Sequence, residues 1–250
     1  MRGFEATHYL LEAKLLRDKV PSFDKYPFSL PVINNLETIE FHPKVTFFVG
    51  ENGTGKSTLL EAIATAWGFN PEGGTKNFSF STRKSHSDLH KYLRLSKNYK
   101  KPKDGFFLRA ESYFNVATEI ERLDEEPGGP PIIDSYGGVS LHEQSHGESF
   151  FALFMNRFGG KGLYILDEPE AALSPTRLMA MLSRMHTLVQ GGSQFIIATH
   201  SPILLAYPLA KILALNSGNL QEIDYTETEH FLITKQFLNN HEGMLRNLLC

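Results

Sequence analysis

The chain lacks the features on which secreted and membrane-spanning proteins depend. Its one cysteine is Cys250, so no disulfide can form within the chain, as is typical of proteins from a reducing compartment. No apolar run approaches the roughly 18 residues of a membrane-spanning helix. The longest candidates, residues 195–198 and 203–206, are short. The N-terminus has no apolar core followed by a cleavage site of small residues, so we see no signal peptide. We therefore expect a cytoplasmic protein without a membrane span.

Internal repeats and a strong charge imbalance are also missing. The sequence shows neither a repeat nor a sustained heptad pattern. The formal net charge of −3 neither favours nor excludes a polyanionic partner. Hydrophobic residues make up 41% of the 250 residues, an ordinary share for a folded chain. We therefore expect one domain over residues 1–250, with a small helical and basic lobe inserted at about residues 70–160.

Short apolar segments alternate with helical ones along the chain. Strands are predicted where β-branched and aromatic residues cluster, at residues 45–49, 105–115, 163–166 and 195–198. Helical character is predicted at residues 59–64, 88–95, 149–158 and 174–190. This alternation favours an α/β fold with a largely parallel sheet and helices on its faces. Ligands of such sheets lie at the carboxyl ends of the strands.

A glycine-rich loop follows the first predicted strand and precedes a helix. Residues 50–57 fit the pattern G-x-x-x-x-G-K-[ST] at every fixed position, in the strand–loop–helix context that this phosphate-binding motif requires. The glycines let backbone N–H groups point at phosphate oxygens, and the helix N-terminus adds positive potential. We expect Lys56 to reach the β- and γ-phosphates and Ser57 to hold Mg²⁺. The predicted nucleotide-binding residues of this loop are Gly50, Glu51, Asn52, Gly53, Thr54, Gly55, Lys56, Ser57 and Thr58.

Polar side chains follow two later strands. Asp167 can reach the Mg²⁺ held by Ser57, and Glu168 can polarise a water molecule. An acidic pair can also cap the following helix, but the phosphate loop upstream favours the metal interpretation. His200 can donate to a γ-phosphate and sense its loss. We therefore predict Lys56, Glu168 and His200 as catalytic residues, with Ser57 and Asp167 as the Mg²⁺ ligands.

Taken in this order, these residues resemble the motifs of the ABC-type ATPases. Residues 50–57 match the Walker A motif, residues 163–168 match the Walker B motif with its adjacent glutamate, and His200 matches the switch histidine. The resemblance covers about residues 45–202. It implies the P-loop NTPase fold of an ABC-type ATPase core, with ATP and Mg²⁺ as its cofactors.

The signature loop of the family, typically L-S-G-G-Q, is matched less closely. Residues 145–149 keep the serine and the second glycine as Ser145 and Gly147, whereas Glu148 replaces the glutamine. This form is more similar to the soluble branch of the family, which includes the SMC, RecF and OLD-like ATPases, than to transporter subunits. Because two subunits of the family sandwich two nucleotides, the resemblance implies an ATP-dependent homodimer. Ser145, Gly147 and Glu148 would then contact the nucleotide bound to Lys56 of the other subunit.

The function implied by the resemblance is Mg-dependent ATP binding and hydrolysis. Its output would be coupled to an unidentified protein partner or to a nucleic-acid process of the DNA-repair or phage-defence type. Two alternatives stay open. The chain could be the ATP-binding subunit of an ABC transporter, or a nucleotide-gated binding module with little turnover.

Three features of the family are not clearly matched. The Q-loop glutamine should follow the strand between the Walker motifs, where the sequence has Glu111 and Ser112 instead. The D-loop position, residues 171–174, lacks the usual aspartate. An aromatic residue that stacks on adenine could be Tyr26 or Phe28. The metal and water contacts of the missing glutamine therefore have no assigned residue.

Two histidine pairs could indicate a metal site. Residues 142–146 fit H-E-x-x-H, a zinc-protease motif that needs both histidines on one face of a stable helix. Gly147 follows the motif directly and residues 137–138 are both glycine, so we reject a zinc site here. His86 and His90 are four residues apart, and a solvated helix face explains them better.

A basic stretch at residues 83–103 makes nucleic acid a candidate partner. Tyr92 and Tyr99 are interleaved with its cations, which suits contact with a phosphate backbone and stacking on bases. The other interpretation is a solvated surface paired with the acidic residues 119–126. Residues 203–250 have no predicted chemical role. The basic residues are Arg83, Lys84, Lys91, Arg94, Lys97, Lys100, Lys101 and Lys103.

Overall fold

The computed structural model describes residues 8–76, 87–110, 113–125, 131–216 and 218–249, with His146 described by its backbone alone. Some residues discussed above lie outside the described part of the chain, namely Arg83, Lys84, His86, Glu111, Ser112, Glu126 and Cys250.

The described strands form two sheets. The larger sheet has the order β5-β6-β7-β3-β8-β9, in which only β9 runs antiparallel to its neighbour. The smaller sheet is antiparallel with the order β2-β1-β4. The largely parallel sheet predicted from the sequence is therefore confirmed. The strands are β1 (Leu10–Leu15), β2 (Thr38–Glu40), β3 (Val45–Val49), β4 (Leu93–Lys97), β5 (Asp104–Arg109), β6 (Gly162–Asp167), β7 (Gln194–Ala198), β8 (Ala210–Asn216) and β9 (Asn219–Glu222).

Helices lie on both faces of the larger sheet. Phe48 belongs to one buried cluster with Leu60 of α2, and Phe47, the neighbouring strand residue, belongs to the opposite cluster with Phe150 of α4 and Met181 of α5. This alternation is expected of a strand buried on both faces. The helices are α1 (Pro31–Asn34), α2 (Lys56–Trp67), α3 (Tyr113–Asp124), α4 (His146–Ala152), α5 (Pro175–Gln190), α6 (Pro202–Leu205), α7 (Glu229–Asn239) and α8 (His241–Leu248).

Within the described ranges, none of the helices combines the length and the hydropathy needed to cross a bilayer.

Two predicted elements were wrong in part. The helical character expected at residues 88–95 is limited to a 3₁₀ turn, Asp88–Tyr92, after which the chain forms β4. Leu93 and Leu95 alternate with Arg94 and Ser96, which is the period of a strand, and β4 pairs with β1. The strand expected at residues 105–115 ends at Arg109, and α3 begins at Tyr113.

A buried glutamine joins the two sheets. Gln194, at the start of β7, has no exposed surface. Its side-chain oxygen accepts hydrogen bonds from the N–H groups of Tyr9 (3.0 Å) and Leu10 (2.9 Å). Its amide nitrogen donates to the carbonyl oxygens of Leu10 (2.8 Å) and His42 (3.1 Å). Three of the four hydrogen bonds hold the N-terminal segment against the larger sheet, and the fourth holds the loop between β2 and β3.

Candidate functional site

The glycine loop lies between β3 and α2, as the sequence predicted. Gly53 and Gly55 have φ values of 82° and 101°, a region that side-chain-bearing residues rarely adopt. A Cβ on Gly55 would also lie 3.1 Å from Val32. Lys56 is the first residue of α2, and its ammonium donates to the carbonyl oxygens of Gly50 (2.7 Å) and Glu51 (2.9 Å). The loop is thereby wrapped around the lysine that the motif requires.

The two predicted metal ligands meet across the sheet. The Ser57 hydroxyl donates to Oδ1 of Asp167 at 3.0 Å. Asp167 is the last residue of β6, which is separated from β3 only by β7 in the sheet. The carboxyl end of β6 therefore lies beside the start of α2. Two oxygen ligands 110 residues apart in sequence are brought together at one strand edge.

An arginine that the sequence did not indicate lies beside these ligands. Arg109 ends β5 and is in register with Asp167 of β6. Its Nη1 lies 2.7 Å from a carboxylate oxygen of Glu61, on α2, and its Nε lies 3.8 Å from Oδ2 of Asp167. Glu61 also accepts the N–H of Ser87. Arg109 thus connects α2 to the carboxylate that faces Ser57. Its only signal in the sequence is its place within a predicted strand.

Glu168 has an unusual backbone conformation for a non-glycine residue. Its φ is 51° and its ψ is 53°, in the left-handed region. Its N–H donates to the carbonyl of Ala198 at the end of β7 (2.9 Å). Its Oε1 lies 3.5 Å from Nε2 of His200. The structure therefore places two of the three predicted catalytic residues, Glu168 and His200, side by side. Backbone outliers of this kind cluster at functional sites.

Two further residues hold His200, and neither was predicted. The backbone N–H of His200 donates to Oε1 of Glu170 at 2.5 Å. Its Nδ1 lies 2.8 Å from Nε2 of His230, which is on α7. Burial lowers the pKa of His200, with further lowering from Lys56 and His230. Burial raises the pKa of Glu170. His200 is therefore favoured in its neutral form, with one ring N–H to donate.

A cavity of about 220 Å³ opens at the glycine loop. Tyr26 lies at this cavity, where its hydroxyl is 3.2 Å from Oγ1 of Thr58 and its side chain is 65% exposed. Phe28 instead packs in the core against Tyr92. Of the two aromatic candidates for stacking on a base, only Tyr26 is at the loop. The lining residues are Tyr26, Leu30, Asn52, Gly53, Gly55, Lys56, Ser57, Thr58 and Glu168.

The signature residues form a separate cluster at the start of α4. The N–H and hydroxyl of Ser145 both donate to Oε2 of Glu148, which closes a capping box. Arg177 of α5 lies 3.5 Å from Oε1 of Glu148, and the hydrogen bonds from Ser145 lower the pKa of this carboxyl. A Cβ on Gly147 would lie 2.3 Å from the carbonyl oxygen of Ala172, in the D-loop position. The described cavity at the glycine loop has no lining residue from this cluster.

The zinc-protease pattern does not lie on one helix. His142 precedes α4, which begins at His146. The Nε2 of His142 lies 3.2 Å from Oγ1 of Thr118, and its ring packs against Phe114. This segment therefore lacks the helical backbone on which the motif depends.

Two family models match the sequence, one on each side of residue 130. The first, described as an AAA domain, matches residues 25–127. The second, described as an AAA domain, putative AbiEii toxin, Type IV TA system, matches residues 133–206. The glycine loop lies within the first match. The signature cluster, Asp167, Glu168 and His200 lie within the second.

Individual relatives are distant. ABC transporter G family member STR2 of Medicago truncatula is 27% identical over 172 residues, which cover 63% of this chain and 24% of that protein. The chain thus spans about a quarter of that relative's length. The structure of cbiO1 from Clostridium perfringens, part of the ABC transporter complex cbiONQ, superposes with a TM-score of 0.52 at 17% identity and covers 96% of this chain and 99% of that one. A putative metal-chelate type ABC transporter in an inward-facing conformation gives 0.50 at 16% identity, covering 91% and 88%.

Proposed function

The chain belongs to the P-loop ATPases of the ABC and AAA type, and from this premise we propose that it binds ATP with Mg²⁺ and hydrolyses the γ-phosphate. The observation that carries the proposal is the meeting of Ser57 and Asp167 at 3.0 Å, directly beside Lys56. A glycine-rich loop alone would bind phosphate. The Asp167 carboxylate at the end of β6 adds the second oxygen ligand that metal-dependent phosphate chemistry requires.

The residues at this edge of the sheet fit Mg²⁺. The Ser57 hydroxyl and the Asp167 carboxylate are hard oxygen ligands, and Mg²⁺ is usually held by one or two such groups together with phosphate and water. When bound, the ion would offset negative charge on the β- and γ-phosphates. Arg109 keeps the Asp167 carboxylate in place from the other side. Lys56 would exchange its loop carbonyls for phosphate oxygens.

Glu168 and His200 supply the remaining groups for hydrolysis. Glu168 is 39% exposed at its side chain and lines the cavity, so its carboxylate can accept a proton from an attacking water. The ring N–H of neutral His200 can donate to an oxygen of the γ-phosphate. Their separation of 3.5 Å would let both groups act on the same phosphate. Tyr26 lines the same cavity and would stack on the base.

The signature cluster supports a two-subunit site. Ser145, Gly147 and Glu148 do not line the described cavity of their own chain, yet they present a serine hydroxyl and the start of α4. In an ATP-dependent homodimer these groups would cover the γ-phosphate bound to the other subunit. A single subunit would then hydrolyse ATP slowly, because half of the transition-state contacts would be missing.

The test is the solution mass of the Glu168→Gln variant with and without Mg-ATP. Removal of the base should trap the ATP-bound state, so we expect a monomer that becomes a dimer only when Mg-ATP is present. The matched control adds Lys56→Ala to the same variant, which should abolish ATP binding and leave a monomer throughout. Demonstrable ATP binding with no change in mass would contradict the two-subunit site. Absence of ATP binding by the wild type would contradict the whole proposal.

The coupled process is proposed to be of the phage-defence or DNA-repair type, in the cytosol, through a protein or nucleic-acid partner. The description of the second family model as a putative toxin of a Type IV TA system supports a role in defence.

A second candidate is the ATP-binding subunit of a membrane transporter, which the transporter-derived relatives favour. Stable co-purification with a membrane permease would support the transporter subunit over the defence protein. A protein that binds ATP but does not turn it over would be a nucleotide-gated module instead.

A further inference from the structure

A basic groove lies at the amino-terminal ends of the strands, on the opposite side of the sheet from the glycine loop. The loop, Asp167 and His200 lie at the carboxyl ends of β3, β6 and β7. The groove lies where β5 and β6 begin, at Asp104 and Gly162. Its first part is a cavity of about 480 Å³ that lies against the C-terminal end of α2 and the loop between β4 and β5. Its cationic lining residues are Lys76, Lys97, Lys100, Lys101, Lys103 and Arg157.

Two of these lysines are held in place by the last residue of α2. Lys97 Nζ lies 4.5 Å and Lys76 Nζ lies 4.8 Å from the ring centroid of Trp67, so both ammonium groups are held over one indole ring. Burial lowers the pKa of Lys76, and Lys97 and Lys101 lower it further. The cations of the groove therefore repel one another, and an anionic ligand would relieve that repulsion.

The acidic groups near the groove are already engaged. Asp104 is the one acidic lining residue, and its carboxylate accepts hydrogen bonds from Arg157 (2.9 Å) and from the hydroxyl of Tyr164 (2.7 Å). Asp88 pairs with Lys91. Residues 77–86 contain no aspartate or glutamate. The acidic helix α3 has its own partners, for example Arg122 with Glu119 at 2.9 Å. In the described ranges no carboxylate pairs with a groove lysine.

The groove is longer than a small anion needs. A second cavity of about 600 Å³ shares Lys103 and Asp104 with the first and continues along Lys161 and Arg184. The two cavities adjoin at Lys103 and Asp104, and their cationic lining residues extend from Lys76 to Arg184. A row of lysines along a groove suits a chain of phosphates rather than one phosphate group.

An exposed aromatic residue stands among the lysines. Tyr99 is 83% exposed and lies in the β4–β5 loop between Lys97 and Lys100. A large aromatic side chain this exposed offers a flat surface on which an unpaired base can stack, with phosphates on the lysines to either side. Bases of a duplex are stacked on each other and cannot use such a surface.

We propose that this lysine groove, from Lys76 through the β4–β5 loop to Arg184, is a binding site for single-stranded nucleic acid. Contact is mainly to the phosphate backbone, with Tyr99 stacking on a base. The inference goes beyond the proposed ATP chemistry and does not depend on it, because the groove and the nucleotide cavity share no residue.

The test compares a groove variant with a charge-matched control. Lys100→Glu with Lys101→Glu reverses two exposed cations in the groove. Lys14→Glu with Lys19→Glu makes the same change in net charge at exposed lysines outside it. Binding of a fluorescent oligothymidylate of about 16 nucleotides is followed by anisotropy at several salt concentrations. Each lysine–phosphate contact contributes about 0.7 to the slope of log K against log salt. We expect the groove variant to bind at least about tenfold more weakly than the wild type in 0.1 M salt, and its slope of log K against log salt to be smaller by about 1.4. The control variant should bind like the wild type.

Several results would overturn the groove assignment. The wild type could fail to bind the oligonucleotide, or both double variants could bind it equally weakly. The wild type could also bind a duplex of the same length with equal affinity. Finally, inorganic tripolyphosphate could compete as strongly as the unlabelled oligonucleotide. The last would identify a site for a small anion instead. Circular dichroism checks that both variants are folded. ATP binding of both variants, measured in the same preparations, should be unchanged. Loss of nucleic-acid binding can therefore be distinguished from loss of ATP binding.

Discussion

His200 is fixed by contacts from two other segments of the chain, the turn after β6 and α7. Glu170, on the turn after β6, accepts its backbone N–H. Glu168 faces one ring nitrogen, and His230 of α7 faces the other. The 2.8 Å contact between His200 Nδ1 and His230 Nε2 holds the ring in one orientation, which leaves Nε2 as the nitrogen that would meet a γ-phosphate. His230 is therefore a positioning residue for His200.

Replacement of His230 by leucine should lower ATP turnover without weakening ATP binding. The substitution removes one hydrogen bond of about 1 kcal/mol, which corresponds to a kcat about fivefold lower if the bond serves to orient His200. KM for ATP should stay the same, because Lys56 and the glycine loop are untouched. Steady-state kinetics over a range of ATP concentrations measures both constants.

The control for this prediction is His230→Gln, whose amide can replace the hydrogen bond to His200. It should restore most of the turnover. If leucine and glutamine at this position gave the same kcat, the contact between the two histidines would have no part in hydrolysis.

Among the secondary-structure elements, the junction between β1 and β7 is held mainly by one side chain. Gln194 makes four hydrogen bonds to backbone groups of Tyr9, Leu10 and His42, and the three to Tyr9 and Leu10 are buried. The Tyr9 hydroxyl adds one bond to the carbonyl of Gly192 (2.8 Å).

Gln194→Leu should therefore destabilise the protein strongly. Two N–H groups and two carbonyl oxygens would lose their partner, at a cost of about 1–3 kcal/mol for each group left unsatisfied. We expect a loss of about 4 kcal/mol in the free energy of unfolding, measured by urea denaturation. The same substitution at the exposed Gln221 on β9 should change it by less than about 0.5 kcal/mol. Similar losses at both positions would show that the buried hydrogen bonds are not the cause.

The elements that carry sequence motifs were predictable, and those defined by distant pairing were not. β3, β6 and β7 are apolar on both faces and are followed by polar site residues, so local sequence was sufficient. β4 alternates Leu93 and Leu95 with polar residues over only five positions, and its partner β1 lies about 80 residues earlier. Its basic composition suggested a solvated helix because the pairing that buries its leucines is not visible locally.

At the scale of the whole molecule, stability should decrease as the pH falls below neutrality. Burial lowers the pKa of His8, His42, His200 and His230. The unfolded chain therefore takes up protons near pH 6.5 that the folded protein takes up only at lower pH, and the free energy of unfolding falls as the pH drops from about 7 through that range. Glu170, whose pKa is raised by burial, acts in the opposite direction. The usual histidine pKa near 6.5 lies within the tested range, so the four histidines set the expected decrease.

Urea denaturation at pH 7.5 and pH 5.5 tests this expectation. A double variant with His42→Asn and His230→Gln should show a smaller difference between the two pH values than the wild type. A wild-type stability that was constant or rose towards pH 5.5 would contradict the assignment.

The candidate site was predictable wherever a residue belongs to a motif. Lys56, Ser57, Asp167, Glu168 and His200 meet at one edge of the sheet, as expected from strands that end together. The residues that support them, Arg109, Glu170 and His230, belong to no motif, and each acts through a contact that exists only after the sheet has formed. His230 in particular is on a helix for which the sequence suggested no chemical role.

The central place of β3 has a consequence for how the protein is made. Val45 pairs with Phe195 on one side and with Ala210 on the other. A ribosome adds about 5–20 residues per second, so this apolar strand waits on the order of ten seconds before either neighbour has been synthesised. A nascent chain that stops short of β7 has no partner for the strand that supports the phosphate loop. The proposed ATP site therefore cannot form until β7 has been synthesised.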